Sequence, residues 1–320
     1  MSSRHETRGG YVSRFDKWYQ KATVRASPQR FLKESREDYL YFPPDLVPAA
    51  THPLVVARGS AAAQAVMVQR LYEYLRFTVE LEHTTVVPIT TAIALGRTGL
   101  HLPARMREDA FKITTDEAWH AQFSFDLISQ VYAATGIVPQ LSVGLPFRHR
   151  LDGIRARLPA DVRGASDILF AVVSETLITA ILADFPREPR LNPTVRDVVA
   201  DHAADEGKHH AYFRSVLEFL WPVLGADQRR QLGPAVPEIV RAFLEPDQQA
   251  TARVLRSLGL SESDVDGVVA DSFPTRDIEA SIAKAARSTV RYFDEAGAMK
   301  DARTREAFET AGLLYGVSTR

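Results

Sequence analysis

The chain contains no cysteine. That excludes thiolate nucleophiles, iron–sulfur ligation, thiolate-bound haem and disulfides together, and leaves the redox compartment open. It also has almost no net charge. Lys and Arg number 39 against 40 Asp and Glu, a balance of −1, so electrostatics give no reason to expect nucleic acid or an anionic membrane. Long apolar runs are missing too. The longest, Ile168 to Phe185, is interrupted by Glu175 and Asp184 and is too short and too charged to span a bilayer. The first 21 residues lack an apolar core of signal-peptide length. The expected setting is cytoplasmic. Finally, no stretch alternates with period two for long enough to make a strand, so the expected fold class is all-α.

Within those limits the composition is ordinary for a globular protein, at 45% hydrophobic and 25% charged. Residues 1–57 read as an arm, because Pro43, Pro44, Pro48 and Pro53 forbid a long helix there. Its aromatics, Trp18, Phe31, Tyr39, Tyr41 and Phe42, are expected to pack on the body formed by residues 58–320. Four long helices are predicted in that body. The first runs from Ala61 to Val87, capped by Ser60 and ended or kinked at Pro88. The second spans Pro103 to Thr135 and stops at Gly136. The third covers Ala165 to Asp184, and the fourth runs from Pro193, capped by Asn192, to about Leu220. The stretch with Pro139, Gly144 and Pro146 reads as loop. Shorter helices follow, after Ser261, after Thr275 and over Arg303 to Leu313.

One pattern organises the chain. The tetrad Asp-Glu-x-x-His occurs twice, as Asp116, Glu117 and His120 and as Asp205, Glu206 and His209. At about 3.6 residues per turn, Glu and His three apart share one helix face. A lone Glu-x-x-His is most often a solvated surface pair. Two copies on separate helices, with one Glu from each of two further helices, make the ligand set of a carboxylate-bridged di-metal bundle. Glu82 and Glu175 supply that pair, 35 and 31 residues before their own Glu-x-x-His. Glu175 lies among Val172, Val173, Leu177 and Ile178, where an ionised carboxylate costs several kcal/mol unless an arginine or a metal meets it. Four carboxylates balance two ferrous ions, and carboxylate with imidazole suits iron, with manganese as a substitute. Asp116 and Asp205 read either as surface aspartates or as acceptors for a ligand imidazole across the bundle. His202, one turn before Glu206, reads equally as a seventh ligand or as a buried histidine bonded to a carboxylate. His210 and His83 point about 100° away from their ligand neighbours.

With these motifs in place the chain resembles the p-aminobenzoate N-oxygenase family of non-haem di-iron enzymes, within the ferritin-like superfamily. The resemblance runs from about Tyr41 to Phe293. It begins with YFPPDLVPAATHPL at 41–54 and continues through Tyr74, Glu82, DEAWH, the Glu175 helix and H-x2-DE-x2-H. It implies a site of four Glu and three His, with His202 as the third imidazole. It implies oxidation of an amine to a hydroxylamine or nitro group with dioxygen, in natural-product biosynthesis. It also implies substrate contacts from Tyr74, from Arg291 at the edge of the apolar stripe Ile278, Ile282, Ala286 and Val290, and from Thr179. At Thr179 the family carries Asn, which sets p-aminobenzoate itself in doubt, since amide and hydroxyl offer different hydrogen bonds. No flavin or nicotinamide fingerprint is present, so electrons must come from an external ferredoxin or reductase. The expected partners are that donor, a small amine and a second copy of the chain. The alternatives are oxygenation at carbon and, further off, a ferritin-like iron-binding protein.

Overall fold

The computed structural model describes residues 10–32, 39–142, 144–182, 185 and 188–314, without the side chains of residues 179–182. Among them the only regular secondary structure is helical. One isolated parallel bridge, Leu40 to Leu191, ties the arm to the turn before a long helix.

The first long helix is α1, Ser60–Leu81. It does not end at Pro88. A π-helical turn, Glu82–Val86, carries the chain into α2, Val87–Ala94. Proline cannot donate to the carbonyl four residues back and its ring crowds that carbonyl. Widening the turn just before Pro88 makes room, and the Thr84 carbonyl accepts a long bond from Arg148 Nη1 at 3.4 Å. The π turn therefore absorbs the proline and continues the helix. Gly59, not Ser60, takes the N-cap of α1, which has no side-chain cap, and Ser60 is the first helical residue.

The helix α3, Ala104–Thr135, follows Pro103 and stops at Gly136, whose φ of 68° is left-handed and whose N–H reaches the Tyr132 carbonyl. Pro146–Arg157 forms α4, which starts in the last two residues of the stretch expected to be loop, with its proline at the first helical position, where a missing N–H costs nothing. Next come α5, Arg163–Leu182, and α6, Pro193–Val223. The Asn192 side chain caps α6 by accepting from the Thr194 N–H. Pairing is by hairpin: α1 and α2 pack on α3, and α5 packs on α6. The hairpins meet where α3 crosses α6 and where the π turn touches α5. The two hairpins and the π turn leave one shared interior.

Six further helices cover the far side: α7 Ala226–Leu232, α8 Val236–Leu244, α9 Gln248–Ser257, α10 Glu262–Ser272, α11 Thr275–Glu295 and α12 Ala302–Thr310. Ser261 caps α10 as expected, whereas α11 begins at Thr275 with Pro274 before it and no side-chain cap. The face of α11 bearing Ile282, Ala286, Thr289, Val290 and Phe293 is buried, and Thr289 donates to the Thr176 hydroxyl on α5 at 2.9 Å. Trp18, Tyr41 and Phe42 of the arm are buried, but Phe31 is 65% exposed. No helix among the described residues is long and apolar enough to cross a membrane.

Candidate metal centre

The interior between the hairpins is where the repeated motif converges. Glu82 comes from the π turn, Glu117 and His120 from α3, Glu175 from α5, and His202, Glu206 and His209 from α6. All seven are buried to 1% exposure or less, which removes water as a partner for their charges. His120 Nδ1 lies 2.8 Å from Glu117 Oε2 and 3.4 Å from Glu206 Oε1. His209 Nδ1 lies 2.8 Å from Glu117 Oε1 and 3.5 Å from Glu206 Oε1. His202 Nε2 lies 3.0 Å from Glu206 Oε1 and 4.0 Å from Glu82 Oε1. Glu175 Oε2 lies 3.9 Å from His209 Nδ1.

These donors fall into two groups of convergent atoms. One holds Glu117, His120, His202 and Glu206; the other holds Glu117, Glu175, Glu206 and His209. Glu117 and Glu206 belong to both, which is the arrangement two bridged cations require. Glu82 stands outside both groups, beside His202.

The donor chemistry fits a pair of cations. Glu82 Oε2, Glu117 Oε1, Glu175 Oε2, His202 Nε2, His209 Nδ1 and both Glu206 oxygens are buried without a hydrogen bond of ordinary geometry. Such atoms are rare in native interiors and mark an absent partner. No arginine or lysine serves as that partner: among the described residues, every ion pair of the four glutamates is with histidine. Among the described residues no arginine meets Glu175.

Without metal, protons do the neutralising. Burial, then the charges of Glu117, Glu175 and Glu206, push Glu82 well above the usual carboxylate range. Burial and then Glu206 and Glu117 do the same to Glu175. Burial disfavours a charge on His120, but Glu117 and the bond to Asp205 outweigh it and lift the imidazole to about 9. His209 rises well above its ordinary value in the same way, against burial, through Glu117 and Glu206. Burial alone would raise Glu117 and Glu206, yet His209 in particular holds both below the usual range. His202 is held neutral by burial and by His120. The result is two anions against two imidazolium cations.

The two preceding aspartates act crosswise. His209 Nε2 donates to Asp116 Oδ2 at 3.2 Å, and His120 Nε2 reaches Asp205 Oδ2 at 3.5 Å. Each thus serves the histidine of the other motif and leaves Nδ1 facing the interior. His210 turns away and pairs with the Tyr292 hydroxyl, and His83 is exposed. Tyr74 is buried against Phe42 and Phe185, and its hydroxyl is pushed up by burial, with Thr78, Glu206 and Glu82 as its polar surroundings. The Thr179 side chain lies outside the described residues. Arg291 lies at the edge of the α11 stripe, between buried Val290 and Tyr292, with its side chain 58% exposed, 3.6 Å from Glu295 and over the Tyr292 ring. One residue past Val290 on a helix is a turn of about 100°, enough to leave the buried face.

Sequence patterns missed three contributors. Trp18 Nε1 donates to both oxygens of Asp116, at 2.8 and 2.9 Å. Thr23 donates to Asp205 Oδ2 through its N–H and its hydroxyl, at 3.1 and 2.7 Å, and Lys208 Nζ meets Asp205 Oδ1 at 2.6 Å. Lys208 was discoverable, lying three residues after Asp205 on one helix. Trp18 and Thr23 were not, because nothing periodic links the arm to positions so distant in sequence.

Comparison with known proteins points to one family. A family model described as P-aminobenzoate N-oxygenase AurF matches residues 27–297. A curated relative, the 4-aminobenzoate N-oxygenase of Streptomyces thioluteus, is 24% identical over 252 residues, covering 74% of each chain.

The protonation pattern makes a prediction for the metal-free protein. Glu82, Glu175, His120 and His209 all bind protons more tightly folded than unfolded. Their stabilisation is complete below the unfolded values and is lost as pH rises, for His120 through about 9. Glu117 and Glu206 have the opposite sign, and their contribution disappears only below the ordinary carboxylate range. Calorimetry of the metal-free protein should therefore show its Tm falling between neutral pH and about 9.5, while ferrous affinity climbs as those protons leave. A metal-free Tm that rises over that interval would contradict the assignment.

Proposed function

The chain belongs to the p-aminobenzoate N-oxygenase family of di-iron enzymes, and on that premise we propose which side chains do its work. Glu117 and Glu206 would be shared by the two irons, with His120, His202 and Glu82 holding one and Glu175 and His209 holding the other. The observation that supports this most is the pair of convergent groups sharing Glu117 and Glu206. The bound irons supply the activation of dioxygen, with manganese as a substitute metal. The protein supplies ligands, a water-free interior and the orientation of the amine. Asp116 and Asp205 fix the two motif imidazoles with Nδ1 free to coordinate.

The substrate is a small amine, taken to a hydroxylamine or nitro product. The proposed pocket lies along α1, where Tyr74 and Thr78 precede Glu82 at intervals of one turn. Phe185 stacks on Tyr74 at 5.7 Å and meets Phe42 edge-on at 4.8 Å, so the walls are aromatic and suit an aryl amine. The hydroxyls of Tyr74 and Thr78 are buried there without a hydrogen bond of ordinary geometry, free to orient a polar substituent. Thr179, on α5, stays a proposed contact. Arg291, exposed on α11, is proposed to lie outside this pocket.

Electrons come from an external ferredoxin or reductase, in a cytoplasmic setting and a natural-product pathway. The second copy of the chain is proposed to dock on α3. Phe111, Ala118, Phe125 and Tyr132 are all exposed at intervals of seven, a seam that two helices can share.

Product analysis, variant kinetics and sedimentation bear on this reading. Single-turnover products of an aryl amine should gain oxygen on nitrogen. Tyr74→Phe should raise KM several-fold at unchanged iron content, while Arg291→Lys should leave an amino acid and its methyl ester equally well turned over. Oxygen found on carbon alone would favour the carbon-oxygenase alternative. For the assembly, Phe125→Glu should convert a dimer to a monomer in sedimentation at undiminished iron content. A variant that sediments like the parent would remove α3 from the interface.

A further inference from the structure

The arm touches the metal centre at two points, and each point leads to a different ligand. Residues 18–21 and 23–26 form two one-turn helices separated by Ala22, whose backbone is extended at φ −60° and ψ 138°. That break turns the chain between Trp18 and Thr23. Trp18 faces α3 and spans both oxygens of Asp116. Thr23 faces α6 and gives Asp205 Oδ2 two hydrogen bonds. Both aspartates are fully buried, and Trp18 and Thr23 are 8% and 4% exposed. Phe15 lies against His209 with ring planes 12° apart, closing the same side.

We infer that the arm is a positioning element for the two irons, and that it acts on them separately. Trp18 acts through Asp116 on His209, hence on the iron held with Glu175. Thr23 acts through Asp205 on His120, hence on the iron held with His202. The inference rests on the ligand assignment proposed above. The physical basis is general. A carboxylate that accepts a ligand imidazole N–H fixes its ring orientation and raises its basicity, provided the carboxylate itself is held. Asp116 has no donor from a lysine or arginine in the described structure; Trp18 supplies its firmest bonds. Asp205 keeps Lys208 on its other oxygen when Thr23 is changed, so the Thr23 arm is the milder of the two.

The test is the kinetics of iron loss from the anaerobic ferrous protein to a ferrous-specific chelator in excess. The parent should carry two irons per chain. Trp18→Phe removes the N–H and should make one iron leave about tenfold faster, at the lower end of what outer partners of metal ligands contribute, with the other unchanged. Thr23→Val should likewise accelerate one iron, by less, and Thr23→Ser should restore the parent rate. The double variant Trp18→Phe, Thr23→Val should release both irons fast, because the two contacts serve different metals. Should Trp18→Phe fail to fold, Trp18→His, which keeps a ring N–H, and the Thr23 pair carry the same comparison. Both irons accelerating together in a single variant would mean a general cover and overturn the inference. Unchanged loss in Trp18→Phe and Thr23→Val would overturn it too. A parent that binds fewer than two irons would instead refute the ligand assignment beneath it.

Discussion

Four carboxylates lie in a dry interior with no ammonium or guanidinium against them among the described residues. That single constraint shapes the rest of the molecule. An uncompensated buried carboxylate costs several kcal/mol, and four near one another cost more than a domain's net stability of about 5–15 kcal/mol. The chain cannot tolerate this cluster unless cations neutralise it. Three buried imidazoles give part of the answer: all three can serve as ligands, and His120 and His209 also carry protons. The interior is therefore neutral with protons on Glu82, Glu175, His120 and His209, and neutral again when those protons give way to two divalent ions.

The scaffold follows from holding these groups still. Two helix hairpins bring donors from four directions, and the long helices place Glu and His on shared faces. The π turn carries Glu82, one of the two glutamates outside the Glu-x-x-His motifs, next to the proline that makes the wider turn favourable. The arm adds a second layer. Its described residues form no long helix, and they are bonded to both aspartates that orient the motif imidazoles. The outer helices bury the far face of α5 through Thr289 and its apolar neighbours, which keeps Glu175 away from water.

Much of this was legible in the sequence because it rests on short-range rules. Gly136 and Asn192 mark helix ends by their own backbone and side-chain chemistry, and α3 and α6 begin or end there. The spacing of three and four residues set the ligand faces without any tertiary information. What was not legible depends on distant partners or on a choice between local rules. Pro88 was compatible with a stop or with a widened turn, and only the Arg148 contact on the Thr84 carbonyl accompanies the second. Pro146 read as loop although it is also a good first helical residue. Arg291 lay one position from the buried stripe, where a small rotation separates interior from solvent. Trp18 and Thr23 meet partners 98 and 182 residues away, beyond any periodic signal.

The claim that two cations complete this interior is most directly tested by anomalous diffraction at the iron edge from crystals of the iron-loaded protein. Two peaks are predicted about 3.5–4 Å apart, both bonded to Glu117 and Glu206. One should lie beside His120 and His202 and the other beside Glu175 and His209. A single peak, or peaks away from the shared carboxylates, would contradict it.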